Sequence, residues 1–163
     1  AAFALIQNLS DRIIGVVKLT NDDPANLKIQ LELPLLAPSS FGGQEELEAC
    51  FLLMDRLFAH GYRRIQLSID DHHFRGSQLA DRLGFTEEGI ILKDMLIKEA
   101  SRDSKVYGML NSDWDKGAKN ALFRKMYGTA MTRYVMKYNA KEEELDDQQR
   151  VLAERKLKEE KDA

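Results

Sequence analysis

Two short stretches of this chain hold residue types that could do chemistry. Phe41-Gly42-Gly43-Gln44 is a glycine pair opening a helical pattern, and Asp70-Asp71-His72-His73 closes an apolar strand pattern. Successive amides in a glycine turn form a concave nest for an anion, and the helix behind them adds the positive end of its dipole. Two strands, each running through a glycine-rich or polar loop into a helix, make a crossover unit that can hold a phosphate-bearing cofactor. The first of these helices opens with Glu45, Glu46 and Glu48, whose carboxylates complement the dipole themselves and repel a phosphate. Gly42-Gly43 therefore has two readings, a phosphate cradle or a plain turn before an acid-capped helix. In the second stretch, four adjacent residues seldom converge on one ion, so no metal is expected. Asp71 and His72 read as solvated loop residues. Asp70 and His73 are better placed for function, and histidine titrates near neutral pH.

The elements that position these residues follow from periodicity. Phe3–Gln7 and Ile13–Thr20 read as antiparallel strands joined by Asn8, Ser10 and Asp11, with Asp22-Asp23-Pro24 as the next turn. Leu27–Leu36 alternates Leu27, Ile29, Leu31 and Leu33 against Lys28, Gln30 and Glu32, until Pro34 interrupts the pairing. Leu47, Cys50, Phe51, Met54, Leu57 and Phe58 mark a helix over Gln44–His60 stopped by Gly61. Ile65, Leu67 and Ile69 form the next strand, which a helix of this length makes a parallel neighbour. A short helix Ser77–Leu83 ends at Gly84. Ile90–Lys98 and Lys105–Leu110 form a hairpin about Ala100-Ser101-Arg102-Asp103. Ser112 and Asp115 have the spacing of a capping box before a helix through Tyr127, closed by Gly128.

Composition narrows the classes. The chain has 163 residues, 44% of them hydrophobic, enough for one domain with a real core. No apolar run is long enough to cross a membrane, and the opening AAFALIQ has no leader pattern. Cys50 is the single cysteine, which excludes an intrachain disulfide. A reducing compartment, the cytoplasm, is expected. Residues 141–163 carry nine acidic and six basic side chains, so the whole net charge of −3 lies there. That balance argues against nucleic-acid binding. Residues 129–163 read as a charged helical or disordered tail.

The succession Gly61-Tyr62-Arg63-Arg64, Arg82-Leu83-Gly84-Phe85, Glu88-Gly89, Arg102-Asp103 and Met109-Leu110 to Asp113-Trp114 resembles the GNAT N-acetyltransferases. Among them it is most similar to the Rim-type branch that acetylates ribosomal-protein N-termini. The resemblance runs from about Phe3 to Tyr127. It implies an α/β (α+β) fold: a mixed, mostly antiparallel sheet with a central splayed parallel strand pair and flanking helices, followed by a C-terminal helical tail. It begins partway into the family's fold, so a first strand and two helices are expected to be missing from the domain at residues 1–128.

The resemblance implies acetyl-CoA as acetyl donor. Its pantetheine arm would lie along Leu33, Leu35 and Leu36, splayed apart at Pro34, and its pyrophosphate on Phe41, Gly42, Gly43 and Gln44. His73 stands where the family favours asparagine, as a donor to the cofactor or a base. The family's strand glutamate aligns with Gln30, and Glu32, two residues on and on the same face, becomes the implied base. Read from the strand alone, Glu32 is a solvent-facing residue. Ser77 is either a donor to the leaving thiolate or a helix N-cap, and Ala80 stands where many members have a tyrosine. Arg102-Asp103 reads as a hairpin ion pair and Trp114 as a core anchor.

Two function classes follow. One is an acetyl-CoA-dependent N-acetyltransferase whose acceptor is a protein N-terminus or a small-molecule amine. An α-amine of pKa near 8 suits a weak base, because a lysine near 10.4 needs about 3 kcal/mol more help. The other is a degenerate GNAT domain with a non-catalytic binding or structural role, in which the 129–163 tail meets a protein partner.

Overall fold

A computed structural model describes residues 1–8 and 10–128, and Ala1–Met126 form one compact unit. The expectations for 129–163 lie outside the described residues. The strands are β1 (Ala2–Gln7), β2 (Arg12–Asp23), β3 (Lys28–Leu31), β4 (Leu35–Leu36), β5 (Arg64–Asp70), β6 (Thr86–Ile97) and β7 (Ala100–Leu110). Helix α1 (Gln44–Ala59) joins β4 to β5, and α2 (Phe74–Leu83) joins β5 to β6. A last helical stretch opens at Asn111–Asp113, widens into a π-turn at Trp114–Ala118 and continues over residues 119–128.

The strands form one sheet in the order β1-β2-β3-β5-β7-β6, with β4 returning to β2. All pairings are antiparallel except β3 with β5. This is the mixed sheet with a central parallel pair that the sequence implied. Alternation sets its two faces. Val17, Leu19, Ile29, Leu31, Ile65, Leu67 and Ile69 are buried on one face, against Leu47, Cys50, Phe51, Met54 and Leu57 of α1 and Leu79 and Leu83 of α2. Lys18, Thr20, Gln30, Glu32, Gln66, Ser68 and Asp70 alternate with them and lie on the other. Trp114 is the expected core anchor. Its ring lies 5.5 Å from those of Phe51 and Phe58, and its Nε1 donates to Asp55 Oδ1 at 3.3 Å.

Several local expectations are corrected. The strand expected over Leu27–Leu36 is two short strands, β3 and β4, with the expected interruption at buried Pro34, which has no N–H for a ladder. Helix α2 starts at Phe74, three residues before Ser77, so Ser77 is not its N-cap. The hairpin turn is Lys98-Glu99, at φ +48° and +64°, rather than 100–103. The shift arises in a bulge where Leu92, Lys93 and Asp94 stand opposite Asp103 alone. Asp103 Oδ1 accepts the Lys93 amide at 2.7 Å, which ties the bulge to β7. Asp103 is thus not the partner of Arg102, whose Nη1 lies 3.7 Å from Asp70 instead. The capping box at Ser112 and Asp115 does not form. The helix has already begun at Asn111, whose Oδ1 accepts the Ser112 amide at 2.9 Å.

Arg64 and Glu88, two of the residues that carried the resemblance, form a double hydrogen bond, with Arg64 Nη1 donating to Glu88 Oε1 at 2.7 Å. Gly108 lies beneath them. A Cβ there would sit 2.7 Å from Arg64 Nη1 and closer still to Glu88 Oε1. The Arg64 hydrogen bonds hold the Glu88 carboxyl below its ordinary pKa. Gly108→Ala is expected to part the pair and cost roughly 1 kcal/mol of stability in urea unfolding. A depressed folded pKa contributes stability above the unfolded value and loses it as pH falls through the folded one. The difference between wild type and G108A should therefore be largest near neutral pH and shrink on acidification.

Candidate active site

The site begins where the sheet parts. β3 and β5 pair at Lys28–Arg64, Ile29–Ile65 and Gln30–Gln66, and the pairing stops there. β5 continues to Asp70 with β7 alone. The departing chain stays with β2: the Glu32 amide donates to Lys18 O at 2.9 Å, and Leu35 and Leu36 pair with Val16 and Gly15. A cleft of about 400 Å³ opens between the two, lined by Lys18, Thr20, Glu32, Ser68, Asp70 and His73 together with Leu33 and Leu35. Among the described residues, β5 has no strand partner on this side from Leu67 onward.

A second cavity, about 170 Å³, shares Leu33 and His73 with the first and lies toward the start of α1. Phe41, Gly42 and Glu46 line one wall, and Arg75, Gly76 and Arg82 of α2 line the other. Gly76 lets His73 and Leu33 pack closely against α2, since a Cβ there would lie 2.6 Å from both His73 Nδ1 and Leu33 Cδ1. The Arg75 guanidinium carbon stands 4.6 Å from the Phe41 ring centroid, in cation–π contact. Arg82 Nη1 donates to Gly42 O at 3.3 Å. Gly42 adopts φ +68°, a left-handed conformation that glycine takes without strain. Its amide donates to Glu46 Oε2 at 3.2 Å, and Glu46 is only 8% exposed.

Most of the residues singled out in the sequence meet here. Glu32 and His73 line one cleft, with Leu33 and Leu35 on its lip. Glu32 Oε1 accepts Thr20 Oγ1 at 2.7 Å and Gln30 Nε2 at 2.9 Å, which fixes the carboxylate. Phe41 and Gly42 line the second cavity with His73. Leu36 is buried in its pairing with Gly15. Gly43 is the N-cap of α1, and Gln44 turns with Glu45 and Glu48 to a separate groove against β1. Ser77 hydrogen-bonds the Tyr107 side chain.

Asp70 accepts the His72 amide at 2.9 Å, and this bond, with the nearby Arg102 charge, holds its carboxyl below the ordinary range. Asp71 pairs separately with Lys105 at 3.4 Å. Among the described residues no three His, Cys, Asp or Glu side chains converge as a metal site, and no helix is long and apolar enough to cross a membrane.

Arg75 was not singled out in the sequence and Arg82 only within the Arg82-Leu83-Gly84-Phe85 resemblance, although their i, i+7 spacing puts both on one face of a helix. A helix begun at Ser77 leaves Arg75 in a loop, whereas α2 begins at Phe74 and includes it. With them, the arrangement fits the parts of acetyl-CoA unevenly. The parted strands offer unpaired backbone for a pantetheine arm, and two arginines offer charge for phosphates. The nest amide of Gly42, however, already holds a carboxylate.

Comparison with known proteins agrees with this geometry. No family model matches the chain, and no curated protein sequence matches it. Solved structures do. A GCN5-related N-acetyltransferase from Brucella melitensis is 30% identical at a TM-score of 0.70, over 74% of this chain and 55% of that one. A GNAT-family protein from Chromobacterium violaceum is 29% identical at a TM-score of 0.68, over 71% of this chain and 58% of that one. A chimera of the spermidine N-acetyltransferase SpeG from Vibrio cholerae shares the fold at 20% identity and a TM-score of 0.63, over 69% of this chain and 68% of that one. The fold is that of the GNAT N-acetyltransferases. The chain spans a little over half the length of the first two of these proteins.

Cys50, one turn beyond Glu46 on α1, is fully buried. Burial first, and the Glu46 charge second, push its thiol up to about 12. Alkylation by iodoacetamide at pH 8 should leave the folded protein unmodified and label one thiol per chain in denaturant. Rapid labelling of folded protein would contradict this packing.

Proposed function

We propose that this chain forms the cofactor-binding body of an acetyl-CoA-dependent N-acetyltransferase of the GNAT kind. The observation that carries this reading is the parting of β3 and β5 after Gln30 and Gln66, which leaves unpaired backbone on a cleft that shares Leu33 and His73 with an arginine-lined cavity. Backbone at Leu33 and Leu35 and along β5 would hold the pantetheine arm, and Arg75 and Arg82 would face the phosphates. Acetyl-CoA supplies its acetyl group as an activated thioester.

Within the cleft, Glu32 would take a proton from the acceptor amine, a role its position on the lining supports. The bonds from Thr20 and Gln30 converge on Oε1, and among the described residues no donor reaches Oε2. His73, at the junction of the two cavities, is placed to donate to the cofactor arm. The acceptor we favour is an α-amine, as in the Rim-type branch, because it asks least of a carboxylate base. A small polyamine is the second candidate. Glu32 and ionised Asp70 give the cleft two carboxylates, and one structural neighbour is a spermidine N-acetyltransferase.

A non-catalytic GNAT module is the other reading of the same chain, and the carboxylate on the Gly42 amide favours it. Calorimetric titration of the 163-residue chain with acetyl-CoA, with desulfo-CoA as control, separates the two. Micromolar binding, about −8 kcal/mol, is expected, and a folded sample that binds neither ligand would sink the acetyltransferase reading. Gly43→Glu should weaken that binding sharply. Glu32→Gln should lower kcat by roughly a hundredfold with KM little changed. Its deficit should narrow at high pH, where the amine is already neutral.

A further inference from the structure

Glu46 occupies an unusual position for an acidic residue. It is the third residue of α1, where a glutamate commonly reaches back to cap the helix. Here it reaches one residue further, to the Gly42 amide, and it does so inside the cavity that holds Arg75 and Arg82. It is 8% exposed, and among the described residues no cation pairs with it. Arg75 is stacked on Phe41 and Arg82 is bonded to the Gly42 carbonyl. A buried carboxylate held by one amide is a strong acceptor on a donor that a phosphate at this turn would use.

We infer that Glu46 is an internal competitor for the anionic part of the cofactor, so that it sets cofactor affinity from inside the loop. The inference rests on the acetyltransferase reading above and concerns the same cavity. An anion on the Gly42 amide and the Glu46 carboxylate exclude one another, by shared hydrogen bond and by like charge. Phosphate groups gain this seat only when Glu46 leaves it, whereas the pantetheine arm, which lies in the cleft beyond Leu33 and His73, is indifferent to it. Loss of the carboxylate therefore tightens binding of CoA and leaves binding of pantetheine as it was.

The test titrates the 163-residue wild type and Glu46→Gln with CoA and with pantetheine, which lacks the phosphates. The amide of glutamine still accepts a bond from Gly42, so the turn keeps its shape while the charge goes. E46Q is expected to bind CoA about ten- to a hundredfold more tightly than wild type, the scale of one charge-assisted hydrogen bond, with pantetheine affinity unchanged. Equal CoA affinity in the two proteins would overturn the competition and leave the acetyltransferase reading standing. An equal gain for pantetheine would overturn it too, as mere loosening of the loop.

A second measurement needs no variant. In wild type the Gly42 amide resonance should move when CoA or inorganic pyrophosphate is added and stay put with pantetheine. CoA binding that leaves this resonance unmoved overturns the inference even if E46Q fails to fold. Absence of CoA binding by wild type and variant alike overturns both the inference and the cofactor reading.

Discussion

Three residue pairs hold the two halves of this sheet together. Lys28–Arg64, Ile29–Ile65 and Gln30–Gln66 are the only ladder between β1-β2-β3 and β5-β7-β6 among the described residues. Parallel pairing is slightly weaker per residue than antiparallel, so so short a ladder relies on the packing behind it. Ile29, Leu31, Ile65 and Leu67 are all at or below 5% exposure, and α1 lies across them as the crossover that makes the pairing parallel. The hydrophobic face holds the halves together, while the polar face is free to open. That division lets the protein have a cleft through the middle of a sheet without losing its core.

The opening depends on one backbone fact. Pro34 cannot donate a hydrogen bond, and on either side of it the chain finds its bonds on β2 instead of β5. β5 meanwhile keeps β7 to its last residue. Neither lip is loose, because each is tied to a neighbour on its outer side. A cleft with rigid lips and unpaired inner backbone is suited to an extended ligand that supplies its own amide groups. The polar face of the sheet then brings Glu32 and Asp70 to the same opening by simple alternation, two residues of each strand beyond the last paired residue or a little further.

Much of this was legible in the sequence because it rests on periodicity. The buried stripe of α1 and its stop at Gly61, the alternation of β5, the break at Pro34 and the anchoring role of Trp114 all follow from residue type and spacing. What was not legible depends on which partner wins a contest. Arg102 and Asp103 are adjacent and opposite in charge, yet the bulge at Lys93 claims Asp103 and leaves Arg102 to Asp70. Ser112 and Asp115 have capping-box spacing, but Asn111 starts the helix first. The start of α2 was set three residues late because Phe74 is 77% exposed and Arg75 is a surface charge, so the apolar stripe from which a helix is read begins only later. A late start hides Arg75, and Arg82 stands only in the family resemblance, so the arginine wall is the part of the candidate site least expected from the sequence.

The arginines also change how the loop should be understood. Taken alone, Gly42-Gly43 before a helix is a seat for an anion, and three glutamates in the first five residues of that helix make it a poor one. The structure separates these charges by direction. Glu45 and Glu48 line the separate groove against β1, and of the three only Glu46 lines the cavity. Across from it, Arg75 and Arg82 bring two positive charges from a different helix, neither neutralised by an ion pair among the described residues. The local sign of the cavity is therefore set by α2 rather than by the glycine turn. An anion entering from solvent would meet the arginine wall as the attractive side of this space. To reach the Gly42 amide it would have to displace the carboxylate that already lies there.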